Sequence, residues 1–280
     1  MLKLRIITAL LMLAVLLPAL FAPVAWPFAA VSLLLIAAAA WEWGRLNGAG
    51  VPGAWVMGAS MAAAGAAAYA AGWTTGAPPA LWWLAAAVWV LGGALVLHGG
   101  PAAWPHAPRV LRLMLGLVVL FVGWLALSQA RAVGINFVLS VMALVWAADI
   151  AAYAGGRGFG RTKLAPTVSP GKTWEGALSG AAAVLVLGAV WLWVDRSAAV
   201  DSPSVTSRLL SALGMVGAGV ALLALSAMSV VGDLVESLVK RAAGAKDSSR
   251  LLPGHGGVLD RIDALLPVFP CAMALVSLAR

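Results

Sequence analysis

Apolar runs follow one another along most of the chain, separated by short polar turns. Nine are candidate membrane spans, at about residues 6–22, 24–40, 54–71, 80–97, 110–127, 135–154, 177–194, 209–231 and 264–278. Crossing about 30 Å of hydrocarbon takes roughly 20 apolar residues, so the first and last runs are the shortest fits. The pattern predicts an all-α, polytopic integral membrane helix bundle of about nine transmembrane helices. No period of about 20–50 residues recurs, which argues against a solenoid. Lys3 and Arg5 ahead of the first run resemble a secretory leader, but no clean A-x-A site follows and a second apolar run begins at once. The first helix is therefore expected to be retained.

Composition agrees: 63% of the 280 residues are hydrophobic and 10% are charged, whereas soluble domains are about half apolar. Cys271 is alone, which excludes a disulfide framework or a cysteine metal site. It is expected to pack as a small apolar residue. The net charge of +8 raises the question of nucleic acid, and its distribution answers it. With nine helices, the amino terminus and the loops near 45, 98–112, 155–175 and 240–262 share one side and hold 14 of the 18 Lys and Arg residues. Only Arg131, Arg196, Arg208 and Arg280 fall on the other. That is the positive-inside bias of an inner-membrane protein with a cytoplasmic amino terminus, and no nucleic-acid partner is expected. Trp26, Trp41, Trp43, Trp55, Trp73 and Trp104 sit near predicted helix ends, as interfacial anchors do.

Acidic residues divide the chain in two. Residues 1–148 contain one, Glu42, and residues 149–280 contain the other nine. The first part reads as transmembrane scaffold, with Gly58 and Gly65 allowing close helix packing. Its WEWGRL element (41–46) is expected to anchor a helix at the interface, a direct chemical role for Glu42 being the lesser reading. His98 and His106 read as solvated loop residues. The second part, continuous with the first, reads as the catalytic region. Its connector Asp195–Ser204 reads as an ordinary turn on the opposite side.

Asp149, Asp233 and Glu236 lie within or at the edge of apolar helices, where an ionised group costs at least about 2.5–3.5 kcal/mol unless it faces a partner or a watery cavity. In VVGDLVESLVKR, helical spacing puts Asp233, Glu236, Ser237 and Lys240 on one stripe of about 100°. A buried ion pair between helices would explain that stripe by itself. The next residues enlarge it: Arg241, Lys246-Asp247, Pro253-Gly254-His255-Gly256-Gly257, then Asp260-Arg261-Ile262-Asp263. Gly256 and Gly257 permit positive φ and close backbone approach. Asp260 and Asp263 share a helix face at i, i+3 spacing. Carboxylates without cysteine suit a hard cation such as Mg²⁺. Surrounding cations suit a substrate with several phosphates. Together these are the parts of phosphoryl-type transfer.

A second basic loop, GRGFGRTKLAPTVSPGKTWEG (156–176), adds Arg157, Arg161, Lys163 and Lys172. Pro166 stands where a P-loop needs its first glycine, and glycines 156, 158 and 160 follow a membrane helix rather than a strand, so neither nucleotide motif applies. Alone, this loop reads equally as a collar for anionic lipid headgroups.

The run Ser237 to Asp263, SLVKRAAGAKDSSRLLPGHGGVLDRID, resembles the signature of the phosphatidate cytidylyltransferases, or CDP-diacylglycerol synthases. Asp149, Tyr153, Gly156-Arg157, Gly160-Arg161, Ser169-Pro170, Lys172-Thr173, Glu175-Gly176 and Gly232-Asp233-Leu234 resemble the family pattern too. Gly171 stands where the family is often basic and Ser249 where it is often glycine. The resemblance implies a membrane enzyme joining CTP to phosphatidate with Mg²⁺, with room for a second metal ion. It implies metal ligation by Asp233 and Asp260, with Asp263 a third ligand or orienter. Lys172, Lys240, Lys246 and Arg261 would neutralise phosphates, and His255 would bind phosphate rather than act as base. Arg157, Arg161, Thr173, Ser237, Arg241, Gly256 and Gly257 are implied substrate contacts. Asp149 and Glu175 would position ligands, Glu236 would balance Lys240, and Asp247 would pair with Lys246 or Arg250 or touch metal. A homodimer is allowed but not required. The rivals are a CTP-dependent enzyme for an isoprenoid acceptor and a cation or phosphate transporter, whose usual paired repeats are missing here.

Overall fold

A computed structural model describes residues 2–278. The side chains of Lys3 and Arg5, and Arg280, all counted in the charge bias, lie outside the described residues. In chain order the helices are α1 (Leu2–Phe21), α2 (Trp26–Leu46), α3 (Gly50–Ala70) and the single turn α4 (Trp73–Gly76). Next come α5 (Pro79–Ala87) and α6 (Gly93–Ala103), which a π turn and a terminal 3₁₀ turn join into one apolar span, Pro79–His106. Then follow α7 (Arg109–Val133), α8 (Ile135–Phe159), the strands β1 (Lys163–Ala165) and β2 (Ser169–Thr173), and α9 (Trp174–Ser197). The chain ends with α10 (Val205–Ala242), the short α11 (Leu259–Ile262) and α12 (Leu265–Val276).

Each expected apolar run is a helix, and seven are long and apolar enough to cross a membrane: α2, α3, the Pro79–His106 span, α7, α8, α9 and α10. Among the described residues the count is seven, with the Ile6–Phe21 part of α1 and the 12-residue α12 as shorter apolar helices. At about 1.5 Å per residue, the 12 residues of α12 reach only about 18 Å. Nearly every side chain of α12 is buried, against α10, α5, α7 and α8. A helix apolar on all sides is as well suited to a protein core as to lipid. The hairpin is a second difference. β1 and β2 pair antiparallel, Lys163 opposite Thr173 and Ala165 opposite Ser169, within the segment read from the sequence as a basic loop.

Small residues set the spacing that matters for the site. A Cβ added at Gly176 or Gly180 would lie 2.7 Å from the Ala152 carbonyl oxygen or 2.8 Å from that of Ala148, so α8 and α9 touch at backbone distance. That contact carries the hairpin between them to the end of α10. In the first half, a Cβ at Gly58 would meet the Ala37 carbonyl oxygen at 3.1 Å, bringing α3 against α2.

The expected basic loops meet at one end of the bundle. Trp104 Nε1 donates to Asn47 Oδ1 at 2.9 Å, and Trp43 Nε1 to the Arg112 carbonyl at 2.9 Å. Thr8 Oγ1 donates to the Pro253 carbonyl at 2.9 Å, and Arg241 Nε to that of Val168 at 3.4 Å. At the other end the expected ordinary turn is a cap. Asp201 accepts from the backbone N–H groups of Ile135 and Asn136, satisfying the first turn of α8. Asp195 there accepts from Asn136 Nδ2, the Ser204 N–H and the Ser207 hydroxyl.

Candidate active site

The polar stripe of α10 faces the gathered loops, while Leu234, Leu238 and Val239 are buried in the apolar core. Ser237 Oγ donates to Asp233 Oδ1 at 3.2 Å within the helix. Asp233 Oδ2 receives Lys172 Nζ from β2 at 2.6 Å. One turn further on, Lys240 clasps Glu236 on its own helix and Asp260 Oδ1 at 2.6 Å across the loop. Glu236 is almost fully buried, so its charge depends on that ammonium.

Gly232 decides where Asp263 sits. A Cβ there would overlap the Asp263 carbonyl oxygen and lie 2.8 Å from Pro267. Only a bare backbone lets α10 pass beneath the turn that opens α12. Asp233 and Asp263 thereby come within Coulombic range of one another, and Asp149 on α8 within range of Asp233. Gly232→Ala is expected to push the turn away and lower turnover at least about ten-fold, as misplacement of a catalytic group by about 1 Å does. Initial rates of folded protein against wild type would check it.

The signature loop is organised around Asp260. Its Oδ2 accepts from the Ser248 N–H at 3.0 Å and the Gly257 N–H at 2.7 Å, and the Ser248 hydroxyl lies 2.9 Å from it, shared with Glu42. Gly254 and Gly256 adopt φ of 77° and 85°, which turn the chain tightly enough to aim these donors. Burial opposes ionisation of Asp260, but the Lys240 ammonium and the loop N–H groups outweigh it and bring the carboxyl down to about 2. Asp263 behaves oppositely: burial, then the Asp233 carboxylate, pushes it up to about 7. The two acids, three residues apart, thus occupy different electrostatic environments.

The basic loop shares its residues between structure and cavity. Thr173 Oγ1 accepts from the Gly176 N–H and caps α9, and Glu175 accepts from the Arg161 and Thr162 N–H groups to close the turn before β1. Asp149, Tyr153, Arg157, Ser169, Lys172 and Asp233 line a cavity of about 640 Å³, within the range of small-molecule sites. Arg161, Lys246, Asp247, Arg250 and Arg261 are exposed at the same end of the bundle. Arg241 spends its donors on the Val168 and Ala245 carbonyls. Partly buried His255 has no hydrogen-bond partner at Nδ1 among the described residues.

Residues 3–279 match the family model described as the cytidylyltransferase family. A phosphatidate cytidylyltransferase of Pseudomonas aeruginosa is 41% identical over 279 residues, covering 99% of this chain and 97% of the relative. The chain belongs to the cytidylyltransferase family. Other relatives with the same designation match over shorter stretches. One from Haemophilus influenzae is 46% identical over 137 residues, 49% of this chain and 44% of its own. One from Staphylococcus saprophyticus is 35% identical over 158 residues, 56% and 55% of the two chains.

In this cytidylyltransferase-family site the carboxylates outnumber the cations in contact with them. Asp149, Asp233, Glu236, Asp260 and Asp263 face Lys172 and Lys240. That imbalance fits a hard cation. The expected trio of Asp233, Asp260 and Asp263 on one ion does not form, because no three acidic, His or Cys side chains among the described residues converge closely enough. Asp260 already has a donor on each oxygen. Asp233 has one donor on each oxygen too, Ser237 and Lys172, but it lines the open cavity, and Asp263 has one, the Ala264 N–H; one or two carboxylates with water and phosphate oxygens are the customary set for Mg²⁺.

Sequence reasoning underrated Glu42. It is fully buried and receives four donors from the signature loop. Ser249, where the family is often glycine, is one of them, facing Glu42 rather than the cavity. The available signal was a lone acid between two tryptophans in a half otherwise free of acids.

Proposed function

We propose that the chain transfers the cytidylyl group of CTP to phosphatidate, giving CDP-diacylglycerol and pyrophosphate. What carries this reading is the 41% identity over 279 residues to the Pseudomonas aeruginosa protein designated phosphatidate cytidylyltransferase, and a cavity lined by Asp149, Arg157, Lys172 and Asp233 agrees with it. A phosphatidate oxygen forms a bond to the α-phosphorus of CTP as the bond to the β-phosphate oxygen breaks, and pyrophosphate leaves with both electrons of that bond. The lipid phosphate is already an anionic nucleophile, so the protein's contribution is positioning and neutralisation. Lys172 and Arg157, which both line the cavity, draw the nucleotide phosphates in. Lys240, fixed by Glu236 and Asp260, holds a positive charge beneath the signature loop. Asp233 and Asp263 would hold Mg²⁺, which when bound supplies charge neutralisation to the phosphate oxygens. The exposed cations Arg161, Lys246 and Arg261 lie at the same end of the bundle, where a cytosolic nucleotide would arrive. The basic end faces the cytoplasm by the positive-inside rule, with the chain in the inner membrane.

The test is transfer of α-labelled CTP by purified protein in micelles containing phosphatidate and Mg²⁺. Organic-phase label is expected to appear with an equal amount of pyrophosphate, to need phosphatidate, and to stop when EDTA removes the metal. Label entering only with an isoprenoid phosphate, or none entering at all, would overturn the assignment.

A further inference from the structure

We infer that Glu42, in the amino-terminal scaffold, is a positioning residue for the catalytic loop, acting through Ser248 and Asp260 on Lys240. The inference rests on the proposed cytidylyl transfer for its kinetic readout only. Glu42 Oε1 accepts from the Ser249 hydroxyl at 2.5 Å and the Val258 N–H at 2.9 Å. Its Oε2 accepts from the Leu259 N–H at 2.7 Å and the Ser248 hydroxyl at 3.1 Å. These donors flank the PGHGG turn on both sides, so one side chain of α2 closes a loop more than 200 residues away. The Ser248 hydroxyl has one proton to give and lies between Glu42 Oε2 and Asp260 Oδ2; the Ser248 N–H donates to Asp260 Oδ2 at 3.0 Å, and Asp260 Oδ1 holds Lys240. The path from α2 to the active-site ammonium is thus Glu42, Ser248, Asp260, Lys240, each step a hydrogen bond or ion pair.

The chemistry explains why the residue must be a carboxylate. Both oxygens of Glu42 face a backbone N–H, and hydroxyls can turn but N–H groups cannot. A carboxylate accepts at both oxygens, whereas an amide always presents a donor at one. In Glu42→Gln the NH₂ group therefore confronts the N–H of either Val258 or Leu259, whichever way it is flipped. Asp is one methylene too short to span the two.

Glu42→Gln is expected to lower kcat at least ten-fold with the KM for CTP changed less than three-fold, since the cavity residues Arg157 and Lys172 lie on other elements. In a second readout that needs no turnover, trypsin should cut after Arg250 at least ten-fold faster in the variant. Cleavage after Arg161 and Lys163 should keep its wild-type rate. Ser249→Ala, which removes only one hydroxyl donor, should shift both readouts in the same direction by a smaller factor and serves if Glu42→Gln does not fold. Wild-type kcat with unchanged cleavage after Arg250 in the folded variants would overturn the inference. So would equal acceleration at all three tryptic sites, the mark of general loosening. If wild type shows no cytidylyl transfer, the cleavage ratio still decides the loop's dependence on Glu42.

Discussion

Asp233→Asn is expected to reduce cytidylyl transfer by about 10²–10³-fold, the loss typical when one preorganised electrostatic group is removed, while leaving the bundle folded. The two halves of that expectation come from different contacts. Stability is little affected because the Lys172–Asp233 pair is partly open to solvent, with side chains 26% and 32% exposed. Such pairs contribute about 0–1 kcal/mol. Asn is isosteric and still accepts from Ser237. Activity falls because Asp233 is the acid that Asp149, Asp263 and Lys172 all face, and its charge is the one a divalent cation would meet first. The check is kcat at saturating CTP and Mg²⁺ alongside the melting temperature in detergent. Turnover within three-fold of wild type would remove Asp233 from the chemistry. A melting temperature lowered by more than about 8 °C would make it a structural residue instead.

The parts of this site legible in the sequence are those with a local period. The stripe Asp233, Glu236, Ser237, Lys240 follows from 3.6 residues per turn, and the structure uses all four on one side of α10. The nine apolar runs likewise each became a helix, because hydropathy over about 20 residues leaves little else to form. What hydropathy did not separate was a span from a core helix. α12 carries the same apolar composition whether lipid or protein surrounds it, and only its length betrays it. The hairpin around Thr167 was hidden for a different reason: glycine, proline and threonine there leave no alternation to read. The division of labour between Asp260 and Asp263 was hidden too. Their i, i+3 spacing puts both near α10, but whether each meets an ammonium or another carboxylate depends on Lys240 and Asp233, which tertiary packing alone brings there. Glu42 is the extreme case, with no partner closer than 206 residues in sequence.

Lys240→Met is expected to damage both folding and catalysis, and the two losses can be separated. Lys240 is 12% exposed, and its partners Glu236 and Asp260 are 4% and 7% exposed. Removing one member of a buried charge cluster leaves the others uncompensated and costs about 3–5 kcal/mol. Methionine fills nearly the same volume, so this cost is electrostatic and not a cavity. Asp260 keeps its donors from Ser248 and Gly257, which leaves Glu236 as the stranded charge. The double variant Glu236→Gln/Lys240→Met should therefore recover at least half of the lost stability in a denaturant or thermal titration. It should recover none of the turnover, because the ammonium proposed to neutralise the transferred phosphates is still missing. Lys240→Arg is not a neutral control, since a planar guanidinium cannot reproduce a point charge held between two carboxylates. Recovery of turnover together with stability in the double variant would mean that Lys240 is a structural counter-ion only, and that the catalytic positive charge comes from Lys172 and the exposed cations at the same end of the bundle.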